Sequence, residues 1–270
     1  MIYIIGILIL VYLYCIMPRM FHRPDYTELK KSVFAHRGFH DKEKGIPENS
    51  MTAFREAIKY GYGIETDIQL TKDKKVVVFH DFNLKRVCGV DKKVSDMTYA
   101  ELRELTLFDS NEHIPLFSEF LKMVNGKVPL LIELKCKGPS DKIAPLADRV
   151  LRGYKGVYYI QSFHPLALKW YKENRSEIIR GQLADCYKLQ KRPSKNLAFF
   201  LQQHLIFNIV CRPDFISYNY KHHKEISLNI CKYVFGCPLA AWTVRSEEKL
   251  KKVKKKFDVI IFEYFNVNNH

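Results

Sequence analysis

The chain sets out His36 and Arg37, then Glu65 and Asp67, then His80, and further on Glu133 and Lys135. Each lies at the end of a short apolar run. Hard oxygen donors, imidazoles and fixed cations together suit cleavage of a phosphodiester on a divalent metal. Glu65 and Asp67 are two apart, so in a strand both side chains point to one face. Two carboxylates facing a barrel interior repel unless a cation lies between them, and Glu133 supplies a third oxygen ligand. Three carboxylates suit Mg²⁺ or Ca²⁺ better than zinc, which prefers His or Cys. His36 and His80 are the candidate acid–base pair, since an imidazole gives or takes a proton near neutral pH. Arg37 and Lys135 either hold phosphate oxygens, one as a fork and the other as a point charge, or pair with the carboxylates.

Positioning these groups requires a set of strands. Apolar runs recur at Val33–Ala35, Ile64–Leu70, Val76–Phe79, Leu130–Leu134, Val157–Ile160, Ile178–Leu183, Phe215–Tyr218, Leu239–Val244 and Val259–Tyr264. Helical patterns fall between most of them, among them Ser50–Tyr60, Phe117–Val124, Ala144–Leu151, Pro165–Asn174 and Ser246–Lys256. Only Thr71–Lys75 separates the second run from the third, too short for a parallel crossover, so these two form an antiparallel hairpin. The turn brings His80 back opposite Thr66, between the two acids. Setting that hairpin arm aside leaves eight strands, the count of a closed (β/α)8 barrel over residues 32–270. The polar, turn-rich stretch 82–115 fits no barrel unit and reads as a small insertion over the site.

With 47% apolar residues the chain can fill one large α/β core. Its 44 basic and 29 acidic side chains give a formal net charge of +15, a surface that favours polyanions. Residues 1–17 carry no charge and would reach roughly 26 Å as a helix, near the lower limit for spanning a bilayer. The stretch lacks the basic start and small-residue cleavage site of a signal peptide. It therefore reads as an uncleaved transmembrane helix. Arg19, Arg23, Lys30 and Lys31 in the basic linker 18–31 would keep the remainder cytoplasmic. The seven cysteines form no C-x-x-C pair and read as buried free thiols. The lysine run Lys249–Lys256 lacks interleaved aromatics, so nucleic acid is not the expected partner.

The run HRGFHDKEKGIPENSMTAFREAIKYGYGIETDIQLTKDKKVVVFHDFNLKRV resembles the glycerophosphodiester phosphodiesterase family, whose signature links HRG, PENS, ETD, Q-x-TKD and a closing HD. LLIELK, QSFHPLAL and AAWTV are similar to its later motifs, so the likeness extends from about residue 33 to residue 245. The resemblance implies a (β/α)8 barrel with a small insertion. It implies metal-dependent hydrolysis of glycerophosphodiesters to an alcohol and glycerol 3-phosphate. The apolar start and basic surface also suit the same chemistry on a lysophospholipid at the membrane, and a catalytically silent lipid- or phosphate-binding module is the alternative of another class. The resemblance implies catalytic roles for His36 and His80, metal ligation by Glu65, Asp67 and Glu133, and phosphate contacts from Arg37 and Lys135. It also implies that Glu48 and Asn49 organise the loop after His36, with Asn49 near the ligand. Trp242 is then either a wall for substrate or a core residue. The chain departs from the family at its end, where Glu263 stands for the usual Asp and the last helix is missing. By that reading the departure touches the rim, not the metal centre.

Overall fold

The computed structural model describes residues 1–136, 138, 142–186 and 197–267. Nine strands form one sheet: β1 (Val33–His36), β2 (Gly63–Leu70), β3 (Val76–Val78), β4 (Leu130–Leu134), β5 (Tyr158–Ser162), β6 (Arg180–Ala184), β7 (Phe215–Asn219), β8 (Leu239–Val244) and β9 (Val259–Phe262). All but β3 are parallel, and β1 pairs with both β2 and β9, which closes an eight-stranded barrel. The strand β3 lies antiparallel on β2 with Ile68 opposite Val78, and the same register continued sets His80 opposite Thr66.

Around the barrel lie α3 (Met51–Lys59), α6 (Phe117–Val124), α7 (Ile143–Leu151), α8 (Pro165–Asn174), α9 (Leu197–Gln203), α10 (Asn208–Cys211), α11 (Ile226–Tyr233) and α12 (Glu247–Val253). Their starts follow local chemistry. The Ser50 side chain caps α3 by accepting from the Ala53 amide, and Pro165 opens α8 where a missing N–H costs nothing. The segment between β3 and β4 carries α4 (Lys85–Cys88) and α5 (Tyr99–Arg103). It has an apolar cluster of its own, Leu84, Val87, Val94, Met97, Leu102, Leu107 and Ile114, seated on Val77 and Phe79 of the hairpin arm. The linker folds in part as α2 (Thr27–Lys31), whose Leu29 plugs the floor of the barrel.

The expected transmembrane helix is not borne out. The first helix, α1, covers Ile2–Ile16, 15 residues or roughly 22 Å, against a hydrocarbon core of roughly 30 Å. No helix among the described residues is long and apolar enough to cross a membrane. Pro18 ends it, because the residue before a proline is pushed out of the helical region and Met17 is extended. The end of α1 is tied to the barrel instead. Ile16 is buried, its carbonyl accepts from Asn208 Nδ2 at 2.7 Å, and Arg212 donates to the Tyr14 and Met17 carbonyls.

Inside the barrel the inward positions stack in two layers. The lower layer is apolar: Phe34, Leu131, Tyr159, Phe215, Ala240, Val259 and Ile261. One position further along the same faces come His36, Glu65, Glu133, Gln161 and Trp242, so the polar layer rests on a packed floor. Two inward glycines make room for the floor's rings. A Cβ on Gly63 would lie 2.8 Å from the Phe34 ring, and one on Gly181 would run into Phe215. Gly63→Ala or Gly181→Ala should therefore lower stability by about 1–3 kcal/mol through overpacking. Urea unfolding checks this, and unchanged midpoints would show that the floor has slack.

Candidate active site

The polar layer is built from residues of the strands. Glu65, Asp67 and Glu133 are all buried, and each offers a carboxylate oxygen within 4.8 Å of the others. Such crowding of like charge shows in the acidities. Burial, with Asp67 and Glu133 beside it, drives Glu65 well above the usual carboxylate range. Burial also raises Glu133, against the pull of Lys135. Asp67 goes the other way: burial pushes upward, but His80, Lys135 and Arg37 hold it below its ordinary value. A buried group of acids in which two resist ionisation is a site that a hard divalent cation would relieve. The donor set, oxygen throughout, fits such an ion.

Supporting residues spend their hydrogen bonds on these acids. Asn49 donates from Nδ2 to Asp67 at 3.0 Å and accepts from the Thr66 hydroxyl at 2.9 Å. Both ends of its amide are thus engaged, and it supports Asp67 from the loop after His36. Gln161 donates to Glu65 at 3.1 Å. Lys135 lies 3.0 Å from Glu133 and 3.5 Å from Asp67. Arg37 donates its main-chain N–H to Glu65 and its guanidinium to Glu48, with Asp67 3.7 Å away. Both cations pair with carboxylates, and both also face open space, Arg37 a cavity of about 180 Å³ and Lys135 the larger cleft described below.

The two histidines share that cavity with Glu65, Glu133 and Trp242. His36 Nδ1 lies 2.7 Å from Glu263 Oε2. Burial, reinforced by the Arg37 charge, lowers His36 to about 4, so at neutral pH the imidazole is uncharged. Burial acts upward on Glu263, but His36, His40 and Arg245 hold it far below the usual range, so it is ionised. The proton between them therefore belongs to His36 Nδ1, which leaves Nε2 with a free lone pair. Glu263 is no rim residue, as the sequence had implied; it fixes the tautomer of a histidine at the centre. His80 is oriented likewise, with Nδ1 2.5 Å from Asp81.

Asp81 is held in turn by the insertion. Arg86 on α4 donates to Asp81 at 2.6 Å and reaches Glu48 at 2.7 and 3.0 Å, while Glu48 also accepts from Arg37 at 2.6 Å. Sequence reasoning passed over Arg86 and Glu263 as positioning groups. Asp81 could have been found from its place next to His80. Gln161 could have been found from strand alternation, since it stands beside Glu133 in the sheet.

Trp242 lies in the cavity wall, packed edge-to-face on Phe163 at 5.9 Å, and its buried indole N–H has no partner among the described residues. Beyond it opens a cleft of about 910 Å³, lined on this side by Phe82, Phe163, Phe199 and Trp242 and at its inner end by His80 and Lys135.

Residues 36–208 match the glycerophosphoryl diester phosphodiesterase family. A glycerophosphodiester phosphodiesterase of Caldanaerobacter subterraneus is 27% identical over 86% of this chain and 94% of its own length. A human lysophospholipase D is 30% identical over 63% of this chain and 57% of its own. The chain spans from half to nearly all of the length of such relatives. The fold is shared with an Oleispira antarctica phosphodiesterase solved with the product sn-glycerol-3-phosphate: TM-score 0.68, 24% identity, 86% of this chain and 92% of that one.

The positioning contacts carry two expectations. Glu263→Gln keeps the side chain's size but weakens its hold on the Nδ1 proton, and kcat should fall roughly 10- to 100-fold with little change in KM, since it loosens a candidate acid–base group. Steady-state kinetics test this; a wild-type kcat would remove Glu263 from the reaction. Burial acts upward on Glu48, but Arg86 and Arg37 lower it to about 2. A depressed carboxylate stabilises the fold above its unfolded value and loses that contribution as pH falls through its folded one. The stability gap between wild type and Glu48→Gln should therefore be full at pH 7 and shrink from about pH 4.5 down to about pH 2. Melting temperatures across that range check the sign.

Proposed function

Because the chain belongs to the glycerophosphoryl diester phosphodiesterase family, we propose that it hydrolyses glycerophosphodiesters to an alcohol and glycerol 3-phosphate. The observation that carries this is the cavity in which His36 and His80 both face Glu65 and Glu133. Glu65, Asp67 and Glu133 would hold a Mg²⁺ or Ca²⁺ ion, which when bound supplies Lewis acidity toward a phosphate oxygen. Arg37 and Lys135 line the space beside it and orient the diester. His36, kept neutral by its burial, accepts the proton of the incoming oxygen nucleophile. His80, at the inner end of the wide cleft, delivers a proton to the alcohol that departs into it. Glu263 and Asp81 keep the two rings turned to the phosphate. The product-bound structure of the Oleispira relative supports this choice of substrate class.

A second reading has support of its own: lysophospholipase D-type hydrolysis of a lysophospholipid. The human relative is such an enzyme by name, and the aromatic-walled cleft of about 910 Å³ accommodates a group larger than a small alcohol. Membrane association and a cytoplasmic position belong to this proposal as well, carried by the apolar α1 and the basic residues that follow it.

His36→Ala and His80→Ala should each lower kcat by roughly 10²-fold or more while calorimetric Mg²⁺ or Ca²⁺ binding persists. Chelation should abolish turnover of glycerophosphocholine and lysophosphatidylcholine alike, and the added ion should restore it. Near-normal turnover in either variant would overturn the assignment of the histidines.

A further inference from the structure

The helix α1 runs beside α11 in the same direction. Tyr12 meets Ser227 in the first turn of α11, and one turn on the Ile16 carbonyl accepts from Cys231 Sγ at 3.4 Å. Since α11 follows β7, its first turn lies at the C-terminal ends of the strands, the end at which the catalytic cavity opens. The part of α1 before Tyr12 therefore projects past the catalytic end of the barrel, by roughly 15 Å for Ile2–Val11. That projection is apolar on every face, and its side chains lie open, Tyr3 87% and Leu10 67% exposed.

A protein groove covers one stripe of a helix, so a helix apolar all round is matched by hydrocarbon instead. The projecting length equals one leaflet's share of a hydrocarbon core roughly 30 Å thick. Tyr12 and Tyr14 stand where the helix meets the protein, the level at which tyrosines mark a membrane interface. Further apolar side chains are exposed at the same end: Ile226 at the start of α11, and Phe200, next in sequence to the cleft-lining Phe199. Exposed Lys221 and Lys224 lie between β7 and α11, and the chain as a whole carries +15, which complements anionic headgroups.

We propose that α1 inserts to the depth of one leaflet and so holds the mouth of the catalytic cleft against an anionic lipid surface, from which the enzyme draws lysophospholipid. This rests on the phosphodiesterase reading above and adds to it the physical state of the substrate. A helix of this length does not span the bilayer; it sets which end of the barrel faces it. The aromatic cleft then opens toward the lipid.

The test uses the full chain with phosphatidylcholine–phosphatidylglycerol vesicles that contain lysophosphatidylcholine, and glycerophosphocholine as the soluble substrate. Ile5→Lys with Ile9→Lys places two charges in the hydrocarbon and leaves the site untouched. It should lose flotation with vesicles and lose about tenfold or more in turnover of the embedded lipid, with glycerophosphocholine turnover unchanged. Hydrogen exchange on vesicles should slow in α1 and residues 220–228 and stay unchanged at residues 152–157 at the opposite end. Retained flotation and lipid turnover in the variant would overturn the proposal, as would protection at 152–157. A dimer that the same variant breaks, with no vesicle binding by wild type, would overturn it in favour of a second copy on α1. If wild type floats yet hydrolyses neither substrate, the phosphodiesterase reading fails while the membrane placement stands.

Discussion

Three carboxylates held within 4.8 Å of one another inside a barrel are the constraint to which the rest of this structure answers. Each buried anion forfeits several kcal/mol of hydration unless partners replace it. Lys135 and Arg37 replace part of that loss, but Arg37 is shared with Glu48, so negative charge remains in surplus. The surplus explains why Glu65 and Glu133 rise in pKa while Asp67, with most of the cationic company, falls. It also accounts for the neutral donors around the cluster. Asn49 and Gln161 fix single oxygens without adding charge, which leaves the remaining lone pairs free for an ion.

Holding the acids at that spacing needs a rigid support, and the floor of the barrel provides it. Large rings fill the lower layer only because Gly63 and Gly181 carry no side chain where Phe34 and Phe215 lie. A looser floor would let the strands that carry the acids shift, and with them the hydrogen bond and ion pairs that hold Asp67. The apolar floor and the polar layer are thus one device: close packing below, charge above.

Much of this was legible in the sequence because parallel strands buried on both faces read as plain apolar runs. Leu130–Leu134 and Leu239–Val244 come out with the very limits the pattern gives, and the five-residue turn Thr71–Lys75 placed His80 by itself. Contacts that depend on closure were not legible. Glu263 reaches His36 across the β1–β9 seam, 227 residues away, and no local pattern carries that pairing. Arg86 sits in a polar insertion whose fold depends on its own small core, so its side chain could not be aimed from spacing. The first helix was misjudged for a simpler reason. Hydropathy counts apolar residues up to Met17, whereas Pro18 stops the helix one residue sooner and the barrel claims its last turn.

The two histidines are positioned by separate routes, and this divides the site into halves with different freedoms. His36 is fixed by Glu263 and stands on β1 with the carboxylates inside the barrel. His80 is fixed by Asp81, which Arg86 of the insertion holds together with Glu48. The wide cleft opens on the side of His80, bordered by Arg86 and Phe82 at the start of the same insertion. On the proposed reading, changes in the insertion reshape the space for the leaving group while the acids and His36 stay in place. The cost is that His80 shares the insertion's local stability: any opening of that small apolar cluster withdraws Arg86 from Asp81. On the same reading, the segment that orients His80 also borders the leaving-group side, whereas the barrel carries the residues that would bind the phosphate.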